Sequence, residues 1–195
     1  ARYKLNPSQK KTVSYRGTAS ISMKPYADIV TYQRELFTGQ KEELLRPFDS
    51  LKDAPDFNSI KSIYSYVVST LSYDYSQLNN ELPRYSHKKI AAIVTDPQNS
   101  VCLDYSSLLL SLSRQNGIPS REIVGYGFSN QEAIRPTSGD VLHSWVEYFD
   151  DERGRWIGLD PTWEDTSRID YFSAFDLNHI ALAIHGASPE KPYPV

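Results

Sequence analysis

A chain of 195 residues with one cysteine, Cys102, cannot close an intrachain disulfide. A lone thiol also leaves no cysteine-rich zinc set at ligand spacing, so cysteine usage is silent about redox compartment. Charge of one sign is missing too: 21 Lys and Arg face 24 Asp and Glu, a net of -3. That balance offers no basic footprint for nucleic acid or for an anionic membrane surface. No apolar run reaches the roughly 18 residues a membrane span needs, and no signal-peptide core is visible. Repeats and low-complexity tracts are absent, and Pro and Gly are scattered as punctuation rather than gathered into a linker.

What is present is globular: 39% hydrophobic, 23% charged, with 14 tyrosines. The length suits a single domain whose core needs neither disulfide nor metal. We expect one unit over residues 1–195, with an N-terminal extension and helices at 1–56, a core at 57–185 and a tail at 186–195. A start at Ala1 without methionine fits a fragment whose targeting segment has been removed. Oligomeric state is not legible.

The spacing of apolar residues changes once along the chain. Residues 12–22 alternate around Val13 and Tyr15, which predicts an edge strand. Ile29, Tyr32, Leu36, Phe37, Leu44 and Leu45 follow helical spacing, with Thr38 and Gly39 as a break, so two short helices are expected over 27–47. Phe57, Ile60, Ile63, Tyr64, Val67, Val68 and Leu71 mark an amphipathic helix over 57–71 that leaves through an extended Ser-Tyr-Asp-Tyr at 72–75. A short helix over 88–94 should stop before Asp96-Pro97, since a residue preceding proline is pushed out of the helical region. The helix that follows is expected over 102–116. Asn99 and Ser100 are N-cap types, Asp104 suits the first turn, Tyr105, Leu108, Leu109 and Leu112 face inward, and Arg114, Gly117 and Pro119 form a stop signal. Beyond it the period becomes two, with strands expected at 121–128, 143–149, 155–160 and 178–184 and a charged turn at 150–154. Helices followed by antiparallel strands predict an α+β fold, with the thiol at a helix N-terminus packed on an antiparallel sheet.

A free cysteine often packs as a small hydrophobe. At a helix N-terminus, however, the dipole favours the thiolate, which is the nucleophilic form. A nucleophile needs a base, and the base needs a third group to orient it. His143 opens one predicted strand and Asp160 closes its neighbour, so both lie at the open end of the same hairpin, where a direct hydrogen bond costs little.

The stretches VCLDYSSLLLSLSRQNGIPSREIVGY, HSWVEY and WIGLDPTW resemble the transglutaminase-like superfamily in its compact bacterial form, over about residues 57–185. The resemblance implies a papain-like core with Cys102 as nucleophile, His143 as general base and acid, and Asp160 as the orienting carboxylate. Many members carry glycine two residues before the cysteine, where this chain has Ser100. It also implies a thioester on Cys102 formed from a peptide or protein amide, with no cofactor and no metal, and a location outside the cytoplasm. The backbone N–H of Cys102 would hold the oxyanion together with a side-chain donor, Tyr66 or Tyr73, although both tyrosines also suit core packing. Trp145 and Trp163 flank His143 and Asp160 and could exclude water from the acyl site or simply fill the core.

His87, His179 and His185 read as scattered. His179 is a rival base whose apolar strand also suits a satisfied core histidine. Asp150, Asp151 and Glu152 lack the alternating oxygen ligands of a calcium loop and read as a hairpin tip. The polar segment at 129–140 leads into His143 and is a candidate gate. Hydrolysis is favoured slightly over transfer to an amine. Acetyl transfer is disfavoured because no nucleotide-cofactor pocket is suggested. The competing class is a catalytically silent binding or scaffold module, in which Cys102 merely packs.

Overall fold

Ser59 begins the first core helix by exchanging hydrogen bonds with Ser62: each hydroxyl accepts from the other's backbone N–H at 3.2 Å. The resulting helix, α1 (Ile60–Thr70), buries Ile63, Tyr64 and Val67. This computed structural model describes residues 38–79, 87–127, 142–176, 178–186 and 193–194. The expected strand at 12–22 and the polar segment at 129–140 lie outside those residues. Helix α2 (Ile90–Thr95) starts where Asp49 accepts the Ile90 N–H at 2.9 Å and is capped at its end by Asp96, just before Pro97.

Helix α3 (Cys102–Gln115) is buried on every side from Leu103 to Arg114, so it is the centre of the molecule rather than an amphipathic cover. Its N-cap is Val101, which corrects the expectation of Asn99 or Ser100. The Val101 N–H donates to Asp104 Oδ2 at 3.0 Å, whereas the Ser100 hydroxyl turns back to the Pro97 carbonyl at 3.1 Å. The expected stop holds: Gly117 takes a φ of 73°, and the Ile118 N–H closes onto the Ser113 carbonyl at 2.9 Å. Buried Arg114 fastens that end by donating to the carbonyls of Ser120, Arg46 and Gly186.

The strands β1 (Ser120–Gly127), β2 (Leu142–Asp150), β3 (Arg155–Leu159), β4 (His179–His185) and β5 (Tyr193–Pro194) form one antiparallel sheet in the order β3-β2-β1-β4-β5. Helix α3 packs on β2 and β1. Tyr105, Leu108, Leu109, Leu110 and Leu112 join Ile63, Val67, Ile93, Val146 and Leu159 in the main core, which is the mixed helix and antiparallel sheet arrangement expected from the sequence. On the sheet's other side Ile123, Trp145 and Ile184 form a second cluster with Phe175 against it.

Three further differences are local. Residues 38–44 are helical straight through Thr38 and Gly39. A glycine on an open helix surface costs only about 1 kcal/mol, and Leu44, buried against Phe149 and Trp156, anchors the turn. The two-residue β5 lies within the segment expected as a tail. A fourth labelled helix, α4 (Pro161–Ser167), follows β3 immediately; Asp160 is its N-cap and Pro161 occupies the first turn.

Candidate active site

Cys102 is the first residue of α3 and is half-buried. The amides of Val101, Asp104 and Tyr105 are used: the first by Asp104 and the other two by the Val101 carbonyl. The amides of Cys102 and Leu103 lie in the first turn, where helix N–H groups have no carbonyl partner within the helix. The chain leaving α1 runs beside this turn, with a parallel bridge between Tyr73 and Ser100 and the Asp74 N–H on the Ser100 carbonyl at 2.8 Å. Tyr73 is thereby brought next to Cys102. Burial, and after it the charge on Cys102, push its phenol well above the usual tyrosine range. Tyr66 instead packs edge-on against Phe57, with ring centroids 5.4 Å apart, on the main core.

His143 lies near the start of β2, opposite Gly125. Its Nε2 is 2.7 Å from Asp160 Oδ2, and the two side chains are 3% and 0% exposed. That bond leaves Nδ1 as the ring nitrogen not engaged by Asp160, and Cys102 lies near enough to favour the charged form of the ring. Asp160 is held in three further ways. Its Oδ1 accepts the Trp163 N–H at 3.0 Å, capping α4; its carbonyl accepts the buried Tyr64 hydroxyl at 3.0 Å; and its Oδ2 also accepts from His179 Nε2 at 3.0 Å. The capping carboxylate of a helix is therefore the same group that grips His143.

The electrostatics follow from that burial. Desolvation alone would discharge the His143 ring, but the charge of Asp160, the hydrogen bond to it and the contact with Cys102 outweigh it and raise the ring to about 10. Desolvation likewise opposes ionised Asp160, yet His143 and His179 hold its carboxyl down at about 2. At neutral pH the pair is imidazolium and carboxylate.

Trp163 stacks on His143 at 4.9 Å and 19°, and Trp145 at 6.0 Å and 28°, so both predicted tryptophans line the imidazole. Gly127 makes room for this stack. A Cβ there would come within 2.6 Å of Trp163 Cζ2 and 3.3 Å of His143 Cβ.

His179 is not scattered, as the sequence suggested, but belongs to the site. Besides Asp160 it meets Asp176 Oδ1 through Nδ1 at 2.9 Å, and its ring is packed among Phe175, Trp163 and Trp145. The sequence signal was only an alternating strand, and alternation does not tell which strand end meets Asp160. His143, Asp160 and His179 offer three ligand-type atoms within 4.8 Å of one another. Both contacts to Oδ2 have hydrogen-bond lengths, however, and a cation would have to replace both bonds. The cluster as it stands is held together by hydrogen bonds from both imidazoles to one carboxylate oxygen.

The transglutaminase-like superfamily model matches residues 44–161, and the chain belongs to that superfamily. It is similar to the uncharacterized protein YebA of Bacillus subtilis, 26% identical over 113 residues, which cover 54% of this chain and 15% of that protein. It is also similar to a protein-glutamine gamma-glutamyltransferase of Pseudomonas aeruginosa, 31% identical over 75 residues, covering 35% of this chain and 11% of that one. The chain thus spans a small fraction of the length of these relatives. Among solved structures it resembles a Cytophaga hutchinsonii protein provisionally assigned as a cysteine protease, with a TM-score of 0.44, 17% identity, and coverage of 80% of this chain and 42% of that one.

Proposed function

We propose that the protein is a cysteine-dependent amide hydrolase or acyltransferase working through a thioester on Cys102. The observation that carries the reading is the buried 2.7 Å contact between His143 and Asp160, with Cys102 at the first turn of α3 favouring the charged form of the same ring. In this reading the Cys102 thiolate adds to an amide carbonyl, and the oxyanion is received by the Cys102 N–H and by Tyr73. His143, charged at neutral pH, passes its proton to the departing amine and leaves a neutral imidazole and a thioester. A water or a second amine, deprotonated by His143, then attacks the thioester and releases an acid or a new amide. Asp160 holds the ring and stabilises its charged form throughout. Trp163 and Trp145 shield the imidazole from water.

Family membership supports the amide chemistry, and the glutamyltransferase relative supports a protein side-chain amide as one substrate class. A location outside the cytoplasm belongs to the same reading and rests on the resemblance; among the described residues no helix is long and apolar enough to cross a membrane. The test is incubation with a glutamine-containing peptide, with and without a primary amine, followed by mass spectrometry. A Cys102-bound acyl adduct and a product gaining one mass unit in water, or the amine's mass less ammonia in its presence, are expected. Retention of either product by Cys102→Ser at the wild-type rate would overturn the proposal.

A further inference from the structure

The Asp160 oxygen that grips His143 grips a second imidazole just as closely. His179 Nε2 lies 3.0 Å from Asp160 Oδ2, its Nδ1 lies 2.9 Å from Asp176 Oδ1, and its side chain is 1% exposed. Carboxylates that are ionised only accept, so a ring lying between two of them satisfies both contacts when each nitrogen carries a hydrogen. Asp176 is suited to that role. Burial opposes its charge, but hydrogen bonds from Asn178, Tyr171 and His179 outweigh it and keep the carboxyl below the usual range. The Tyr171 hydroxyl reaches Asp176 Oδ2 at 3.0 Å, and Asn178 donates to both of its oxygens.

We propose that His179 is a positioning residue of this site: held as an imidazolium between Asp176 and Asp160, it fixes the Asp160 carboxylate and shares its charge with His143. The inference rests on the function proposed above. The groups facing His179 are Asp160 at the N-cap of α4, Asp176 and the Tyr171 ring from the preceding loop, and the His143 ring 5.7 Å away on β2. Charges alternate along Asp176, His179, Asp160 and His143 toward Cys102. A carboxylate serving one cation would hold the His143 proton more tightly than one serving two. Sharing Asp160 therefore leaves His143 charged at neutral pH yet readier to release its proton to a leaving amine. Phe175, with its ring centroid 4.3 Å from that of His179, and Trp163, at 4.5 Å, keep the ring in the plane of both bonds.

The experiment uses the full chain labelled with 15N-histidine. Ring-nitrogen NMR at pH 7 should show both His179 nitrogens as protonated, and Asp176→Asn should leave only one. His179→Gln retains an N–H donor for Asp160 but not the charge. It should move the discharge of His143 upward by about one pH unit, tenfold in proton affinity, with Asp176→Asn moving it in the same direction. The readout is the His143 ring titration, assigned with His143→Ala, together with the alkaline fall in Cys102 carboxymethylation by iodoacetate. A neutral His179 in the wild type, or unchanged midpoints in Asp176→Asn, would overturn the inference even if His179→Gln fails to fold. Loss of amplitude without a change of midpoint would mark His179 as structural only, and also overturns it. Should wild-type alkylation be indifferent to His143→Ala, the functional reading itself fails, a result distinguishable from all of these.

Discussion

Asp160→Asn should discharge His143 while leaving the fold in place. The new Oδ1 can still accept the Trp163 N–H, now made at 3.0 Å, so α4 keeps its cap. At the Oδ2 position, however, an amide N–H replaces an anion, facing His143 Nε2 that lay 2.7 Å from it. Burial opposes the charged ring and stays; what lifts His143 to about 10 is first the Asp160 charge and hydrogen bond, and after them Cys102. The ring should therefore titrate below its ordinary value of 6.5. That is a drop of at least about 3.5 pH units, on the order of 5 kcal/mol between its protonation states. The assay is the His143 ring titration by NMR, paired with the rate of Cys102 alkylation at pH 6. Turnover should fall by up to about ten-thousand-fold, the scale known for removing an orienting carboxylate from a serine-protease triad. If His143 in Asp160→Asn still titrates near 10, or alkylation at pH 6 is unchanged, the assignment of Asp160 as its partner is refuted.

Tyr64→Phe removes a buried hydroxyl that meets the Asp160 carbonyl at 3.0 Å and Glu164 Oε2 at 2.7 Å; thermal unfolding should show a loss of about 1–3 kcal/mol. Gly127→Ala drives a methyl into Trp163 and should cost about 1–3 kcal/mol by overpacking, with Cys102 reactivity falling as the indole leaves the imidazole. The buried pair also sets a pH window for stability. With His143 raised from 6.5 to about 10, its contribution is complete below about pH 6.5 and is lost as pH rises through 10. With Asp160 lowered from 3.8 to about 2, its contribution is complete above 3.8 and is lost as pH falls through 2. Calorimetric midpoints of the wild type and His143→Gln should differ most between about pH 4 and 6.5 and converge toward pH 10; a constant difference would contradict the charge assignments.

The parts of this fold legible in the sequence are those whose cause is local. Helix α3 announces its end through Arg114, Gly117 and Pro119, and its start falls at Cys102 as the apolar spacing requires. The contact between His143 and Asp160 was readable because a short turn, four residues from 151 to 154 between paired Asp150 and Arg155, fixes which residues share the open end of a hairpin. What was missed depends on contacts remote in sequence or on a choice between neighbouring caps. Ser100 lost the cap of α3 because its backbone is drawn into a bridge with Tyr73. Helix α4 carries a readable signature, Asp160 followed by Pro161 and Glu164, but the expected strand over 155–160 takes in only Asp160 and no helix is expected after it. His179 is joined to Asp160 only by the pairing of β4 with β1, whose register shifts between Val124 and Gly125. An irregularity of that kind turns side chains to a face that alternation does not foretell.

The measurement that tests the central claim most directly is the pH dependence of Cys102 alkylation by iodoacetamide in the wild type and in His143→Ala. The account predicts that alkylation depends on His143, with the wild type reacting faster than the variant on the acid side of the profile. A thiol that reacts like a free one, or resists alkylation even at high pH, and is indifferent to His143 would contradict it, leaving a transglutaminase-like scaffold whose cysteine only packs.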